Sequence, residues 1–527
     1  MQKDCTVGLE VCIVKQKRRF KMKFNFSTKN KENQTNNYEG EKAFVLTPAM
    51  ELYTAVATAG LSNQFYEKAD NKLQRISDLI EKNEAAFIAK LAVYAREQMH
   101  LRSIPLALTV ELAKRYNGDG LVSKLTNRVV QRADEITELL AYYTLANDRK
   151  NVKQLNKLSK QLQKGLAEAF NRFDEYQFAK YNRDGKVKLK DALFLVHPKA
   201  KNEAQQVLFD KIVKDELQVP YTWEVELSML GQQHYDSIEL KEAAFRTKWE
   251  ELIFSNKVGY MAILRNLRNI LEAEVSKEAL NKVCDYLSNE KAVINSKQLP
   301  FRFLSAYREL KELKNGRVSK VLDALEKAVI FSAANIAGYD EETKIVIAAD
   351  VSGSMQRPIS SKSKVQNYDI GLMLAMLLQS RCENVVTGMF GDKWKVINVP
   401  KKNILANVDE FHRREGEVGY STNGYLVIKD LLLRKKAVDK IMIFTDCQLW
   451  NSNNTKESIA GLWKQYKRIA PGAKLYLFDL AGYGNVPLNV LRDDVFLTAG
   501  WSDKIFDVLA AIENGSDALR MIGQIEL

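Results

Sequence analysis

"KIVIAADVSGSM", Lys344 to Met355, runs through apolar residues and then breaks into Asp350, Ser352 and Ser354. An apolar run of this length and β-branched content suits a strand buried on both faces. A carboxylate at its end, with hydroxyls on alternate positions, admits two chemistries: a nucleophilic aspartate or a hard-cation site. A phosphotransfer aspartate has a second carboxylate two residues on to hold magnesium, and here that position is Ser352. Two serines in a tight turn through Gly353 instead offer hydroxyl oxygens to one Mg²⁺-like ion, with Asp350 supplying charge.

The surroundings of this strand have one texture. After Gly338, "KIVIAAD", "NVVTGMF", "WKVINV", "KIMIFTD", "KLYLFDL" and "DVFLTAG" alternate with helical stretches near 367–380, 423–435 and 456–468 and from about 503. Apolar strands alternating with helices predict a mostly parallel sheet covered on both faces. Ligands of such sheets bind beyond the carboxyl ends of the strands. There "GYSTNGYL" supplies Thr422 and "IFTDCQLW" supplies Asp446 as the remaining oxygen donors.

From about Thr47 to Ala334 the chain reads as helix after helix. "TPAMELYTAVATAG" has Thr47 at an N-cap, Pro48 at the first helical position and a stop at Gly60. "SIPLALTVELAKRYNGDG" repeats this plan, with Ser103 as cap, Pro105 in the first turn and Asn117-Gly118 at the end. Further amphipathic stretches span 121–131, 133–146, 151–173, 188–196, 202–213, 238–254, 257–273, 276–288, 302–313 and 317–334. About a dozen helices of similar length joined by short turns predict a helical-repeat solenoid.

The 527 residues carry a net charge of +13, of which the part from Lys344 onward contributes 4. A basic excess favours polyanionic partners, while a solvated basic face is the competing explanation. The five cysteines show no paired zinc-ligand spacing and no CxxC, which predicts reduced thiols and a cytoplasmic location. No apolar window is long enough to cross a membrane. The opening twenty residues lack the apolar core of a secretory signal. Met22 is an alternative start, and residues 1–37, basic and then Asn-rich, read as a disordered extension.

DxSxS followed by a distant Thr and a distant Asp resembles the metal-ion-dependent adhesion site of von Willebrand factor A domains. The resemblance implies Asp350, Ser352, Ser354, Thr422 and Asp446 as ligands of a divalent cation, Mg²⁺ being expected, with an open position for an acidic group of a partner. An A domain after a long helical half is similar to the TROVE family. "NYEGEKAFVLTPAMELYTAVATAGL", "DALFLVHPKAKNEAQQVLFDKIV", "GYMAILRNLRNI" and "IAADVSGSM" carry that resemblance over roughly residues 38–527. It implies HEAT-like helical repeats (38–338) closed into a monomeric ring by an α/β A domain (339–527). It also implies small non-coding Y-like RNA on the outer face, and single-stranded 3′ ends of misfolded RNA in the hole.

Between Arg149 and Lys201 stand 14 Lys or Arg against 5 Asp or Glu. "AKYNRDGKVKLKDALFLVHPKAK" places Lys180, Arg183, Lys186, Lys188, Lys190 and Lys199 around two short helical pieces, with His197 held before Pro198. Lysines there would meet phosphates, which gives affinity without reading sequence. The family match gives Lys180 and His197 directly; Arg183 is one position off the family's basic residue, where Asp184 stands. Arg265 and Arg268 share one face of a helix, either as a ring-lining RNA contact or as an intrahelical salt-bridge stripe. The leading expectation is a non-enzymatic RNA-binding ribonucleoprotein component in RNA quality control, with an exoribonuclease among the implied partners. The alternative is a metal-dependent protein-interaction scaffold without RNA.

Overall fold

Apolar stripes spaced three and four apart fold as helices, and their ends follow the local chemistry. The chain is described here by a computed structural model covering residues 34–58, 69–147, 158–182, 185–334, 336–359, 363–450 and 457–527. Gly60, Arg183 and residues 1–33 fall outside it. Thr47 accepts from the Met50 N–H and Pro48 opens the helix Pro48–Ala57, as its sequence predicts. Asn202, Ser237 and Ser276 cap Glu203–Lys214, Ile238–Phe254 and Lys277–Leu287 with the same side-chain bond. Ser103 does not cap. It is the first helical residue, and its hydroxyl donates to Glu138 Oε1 at 2.6 Å.

Seventeen described helices lie between Pro48 and Ser332, and many of them pack on the next or next-but-one helix in sequence. Ala85–Glu97 packs on Ser103–Arg115, Leu121–Val129 on Lys160–Phe170, and Phe301–Lys311 on Val318–Ser332. This is the layered packing of a helical-repeat series.

Nine strands are described: β1 Gln34–Asn36, β2 Lys42–Val45, β3 Ile345–Asp350, β4 Val385–Phe390, β5 Trp394–Val396, β6 Lys440–Thr445, β7 Lys474–Asp479, β8 Asn485–Val486 and β9 Val495–Ala499. Six form one sheet in the order β5-β4-β3-β6-β7-β9. Every pairing in it is parallel except that of β5 with β4. Side chains alternate across it. Ile345, Ile347 and Ala349 belong to the same hydrophobic cluster as the helical series. Val346, Ala348, Ile441 and Ile443 form a second core beneath helices Tyr425–Leu433 and Ile459–Ile469. The helix Asn367–Gln379 is apolar nearly all round, and all of it is buried. It lies between β3 and the helix Phe301–Lys311.

Both ends of the helical series rest on this α/β part. At the beginning, Tyr53 Oη donates to the Ala499 carbonyl and accepts from its N–H, both at 3.2 Å. Arg75 donates to the Gly482 carbonyl at 2.7 Å. Gly482 has φ +67°, and a Cβ there would stand 2.4 Å from Thr58 Oγ1, so the close approach needs glycine. β2 pairs antiparallel with both β1 and β8. The sequence reading set residues 1–37 apart as an extension; β1 begins at Gln34 because a polar strand finds its partner in the next one. At the far end, Arg308 holds Asp369 through two bonds of 2.7 and 2.8 Å and Asp409 at 3.1 Å. Glu326 accepts from the N–H groups of Leu405 and Ala406, at the start of the helix Ile404–Arg414.

The Asp369 side chain is wholly buried, so Arg308→Ala leaves an uncompensated charge in the joint. It should cost about 3 kcal/mol or more, whereas Lys311→Ala, at the exposed rim of the same joint, should cost under about 1 kcal/mol. Denaturant unfolding of both variants checks this, and equal costs would mean that the joint does not rest on Arg308.

Candidate functional site

Three parallel strands of the sheet finish in aspartate. Asp350 is the last residue of β3, Asp446 follows β6, and Asp479 ends β7. Asp350, Ser352, Ser354, Thr422 and Asp446, far apart in sequence, are all buried. The turn after β3 brings the Ser352 and Ser354 hydroxyls to 3.2 Å of each other. The Ser352 N–H donates to Asp350 Oδ1 at 2.9 Å. Gly353 N–H reaches the Tyr420 carbonyl at 2.9 Å, which seats the Thr422 loop against this turn. Trp450, just after Asp446, donates its N–H to the carbonyl and hydroxyl oxygens of Thr422 at 2.9 and 3.2 Å.

The electrostatics are those of a site short of positive charge. Burial first, and then the facing Asp350 charge, raise the Asp446 carboxyl to about 8. Burial lifts Asp350 to about 6, against bonds from the Ser352 and Thr445 hydroxyls. Asp446 Oδ2 is buried with no hydrogen-bond partner. Such an oxygen, beside a second carboxylate and three hydroxyls, suits a hard cation. Among the described residues no three His, Cys, Asp or Glu side chains form a metal cluster; three of these five donors are hydroxyls.

The strand ends hold more than the sequence reading named. Thr445 Oγ1 donates to Asp350 Oδ2 at 2.6 Å. The Gln448 N–H donates to Asp446 Oδ1 at 2.9 Å, and its amide oxygen accepts from the Tyr38 N–H at 2.9 Å. Asn37 also donates to the Leu449 carbonyl, so the β1–β2 turn grips the loop that carries Asp446. Asp479 is buried, is raised to about 6 by burial, and accepts from Ala481 and Gly482. Its signal was in the sequence: "KLYLFD" ends in Asp as "KIVIAAD" and "KIMIFTD" do.

The basic residues lie on and around two short helices, Glu175–Tyr181 and Leu189–Val196, both packed on Ala133–Ala146. The Lys180 ammonium stands 5.6 Å from the Tyr176 ring and 5.7 Å from Tyr181. Lys186, Lys188 and Lys199 are exposed. His197 is exposed in the left-handed region, φ 49°, where it closes the helix by donating its N–H to Leu193. Arg183 lies outside the described residues. Tyr176 and Phe194 are exposed beside these cations. Phe194 was legible as an aromatic off the buried stripe Leu189, Ala192, Leu193 and Val196.

Arg265 and Arg268 are exposed on the helix Tyr260–Glu272. Arg268 pairs with Glu272 at 2.8 Å, the salt-bridge reading of that motif. For Arg265 no ion pair occurs among the described residues. Arg302, on the helix Phe301–Lys311, has its guanidinium held below its ordinary value by burial and then by the Arg265 charge. Two cations brought together in this way suit an anion, and Arg302 had no signal in sequence because its neighbour lies on another helix.

The TROVE domain matches residues 13–221 and 214–367. Telomerase protein component 1 of Rattus norvegicus is 42% identical over 98 residues, which are 19% of this chain and 3% of that protein. Its counterpart from Mus musculus is 24% identical over 349 residues, 50% of this chain and 13% of that protein. The matched parts are thus a small share of those relatives' length. The crystal structure of the Deinococcus radiodurans RO (RSR) protein superposes with a TM-score of 0.56 at 16% identity. It covers 88% of this chain and 99% of that one, a likeness of fold.

At the strand ends, the raised carboxyls bind protons more tightly folded than unfolded. In the cation-free protein their contribution to stability is therefore fully present in acid and lost as pH rises through about 8. In EDTA the melting temperature should fall by a few degrees between about pH 6 and pH 9, and Asp446→Asn should flatten that fall. Parallel curves for the two proteins would show that the pair does not repel.

Proposed function

The chain belongs to the TROVE-domain family, and from that premise we propose that it is an RNA-binding component of a ribonucleoprotein. The observation that carries the reading is the face made by the half-buried Lys180 and the exposed Lys186, Lys188, Lys199 and His197, with Tyr176 and Phe194 on the same two helices. Lysines neutralise phosphates, and aromatic and imidazole rings stack on unpaired bases. A structured, Y-like RNA is the ligand this face suits. The names of the matched relatives, a telomerase protein component and a Ro protein, favour the same class of partner.

A single-stranded RNA end would find a second match in Arg265 and Arg302, where the Arg265 charge helps to hold the Arg302 guanidinium below its ordinary value. Recruitment of an exoribonuclease to RNA held in this way is the quality-control role the family resemblance suggests.

For the α/β part the reading is a von Willebrand factor A domain. The order of its parallel strands and the convergence of its oxygen donors support this. Asp350, Ser352, Ser354, Thr422 and Asp446 would hold Mg²⁺ or a similar cation. A cation there supplies positive charge to an acidic group of a partner. Ser352 and Ser354 orient the turn, and Thr445 holds the Asp350 carboxylate in place.

Lys180→Ala combined with His197→Ala should weaken binding of a stem-loop RNA by about a hundredfold, at about 1–3 kcal/mol per contact. An unstructured oligo(U) should be little affected. Equal loss for both RNAs would mean one continuous site, and no loss for either would return the lysines to a solvated face. For wild type, the log–log salt slope of stem-loop binding should be about −4, from roughly five phosphates; a slope near zero removes the electrostatic account. Separately, Asp350→Ala should abolish Mg²⁺ binding by calorimetry while RNA affinity stands. Retained Mg²⁺ would disprove the ligand set.

A further inference from the structure

The helix Trp223–Gly231 contains Trp223, Val225, Leu227, Met229 and Leu230, yet it buries none of its residues. It is fastened to its neighbour Ile238–Phe254 by a few contacts at one end. Trp223 stacks on the buried Trp249 at 6.3 Å, Lys248 pairs with Glu226 at 3.1 Å, and Tyr221 Oη donates to Glu251 at 2.9 Å. Toward the other end of this hairpin the apolar side chains stand in solvent. Met229 is 58% exposed, Ile238 72% and Leu240 55%, with Val219 at 76% in the approach. Scattered exposed leucines are ordinary, but several on one short hairpin are a docking signature.

The charge around them says what kind of partner fits. Between Asp215 and Ala244 the chain has seven Asp or Glu and one Lys, in a protein whose net charge is +13. Glu239 and Glu242 are exposed beside Ile238 and Leu240 on the second helix. Phosphates are repelled from such a surface, so RNA is not its occupant. Apolar anchors within an acidic field match a helix that presents leucines on one stripe and lysines or arginines along its flanks.

We propose that the end of the hairpin formed by Trp223–Gly231 and Ile238–Phe254 is a docking surface for a basic amphipathic helix of a protein partner.

The test uses the full chain and two synthetic helical peptides of Leu and Lys or of Leu and Glu, titrated by calorimetry. The Leu/Lys peptide should bind, and its affinity should drop by at least about tenfold in Ile238→Gln/Leu240→Gln. It should drop likewise in Glu239→Gln/Glu242→Gln, and with added salt. All four side chains are exposed, so the variants should fold, and unchanged stem-loop RNA affinity checks that they do. Absence of binding overturns the proposal, as does equal binding to the variants or to the Leu/Glu peptide. If sedimentation shows the free protein self-associating through this hairpin, lost in Ile238→Gln/Leu240→Gln, the occupant is a second copy and the proposal is likewise overturned.

Discussion

The helical series begins and ends on one sheet, and most of the molecule follows from that requirement. Tyr53 and Arg75 seat its first helices against the end of β9 and the loop after β7, while Arg308 and Glu326 seat its last against Asn367–Gln379 and Ile404–Arg414. One face of β3 therefore shares a hydrophobic cluster with helices hundreds of residues away, and the other keeps a core of its own. Burial on both faces is what demands the uninterrupted apolar run of Ile345–Ala349. It also leaves Asn367–Gln379 no polar face, because the sheet and a helix of the series cover it on opposite sides.

The same arrangement connects the fastening of the chain's beginning to the strand-end chemistry. The loop that carries Asp446 is held from two directions, by Thr422 through Trp450 and by the β1–β2 turn through Asn37 and Tyr38. A change in how the two carboxylates share charge would be felt at Gln448, which touches Asp446 on one side and Tyr38 on the other. Association of the first strands with the sheet and the state of the carboxylate pair are thus linked by two hydrogen bonds in series.

What the sequence revealed was whatever is written in local pattern. Thr47 announces a helix start because a cap is a bond between residues three apart. The five oxygen donors were legible because strand ends converge on one edge of a parallel sheet whatever the loops do. The misses are interactions between segments. The short strand β8, Asn485–Val486, exists only because β2 lies beside it, and Ser103 is drawn from its expected capping role by Glu138 of another helix. Arg302 becomes interesting only when Arg265 is beside it. The helices Ala69–Glu81, Ala85–Glu97 and Ile404–Arg414 escaped notice, although the last has a plain apolar stripe at Ile404, Leu405, Val408 and Phe411.

Solenoids with two loose ends can gain or lose a repeat during evolution, since each unit touches only its neighbours and the terminal ones adapt. A series pinned at Tyr53 on one side and Arg308 on the other has no such freedom. An added pair of helices would move one anchor out of register with the sheet, so the number of units is set by a closing distance and not by local stability. Variation in length is then confined to the turns between helices, where extra residues alter the surface offered to a partner without touching the circuit.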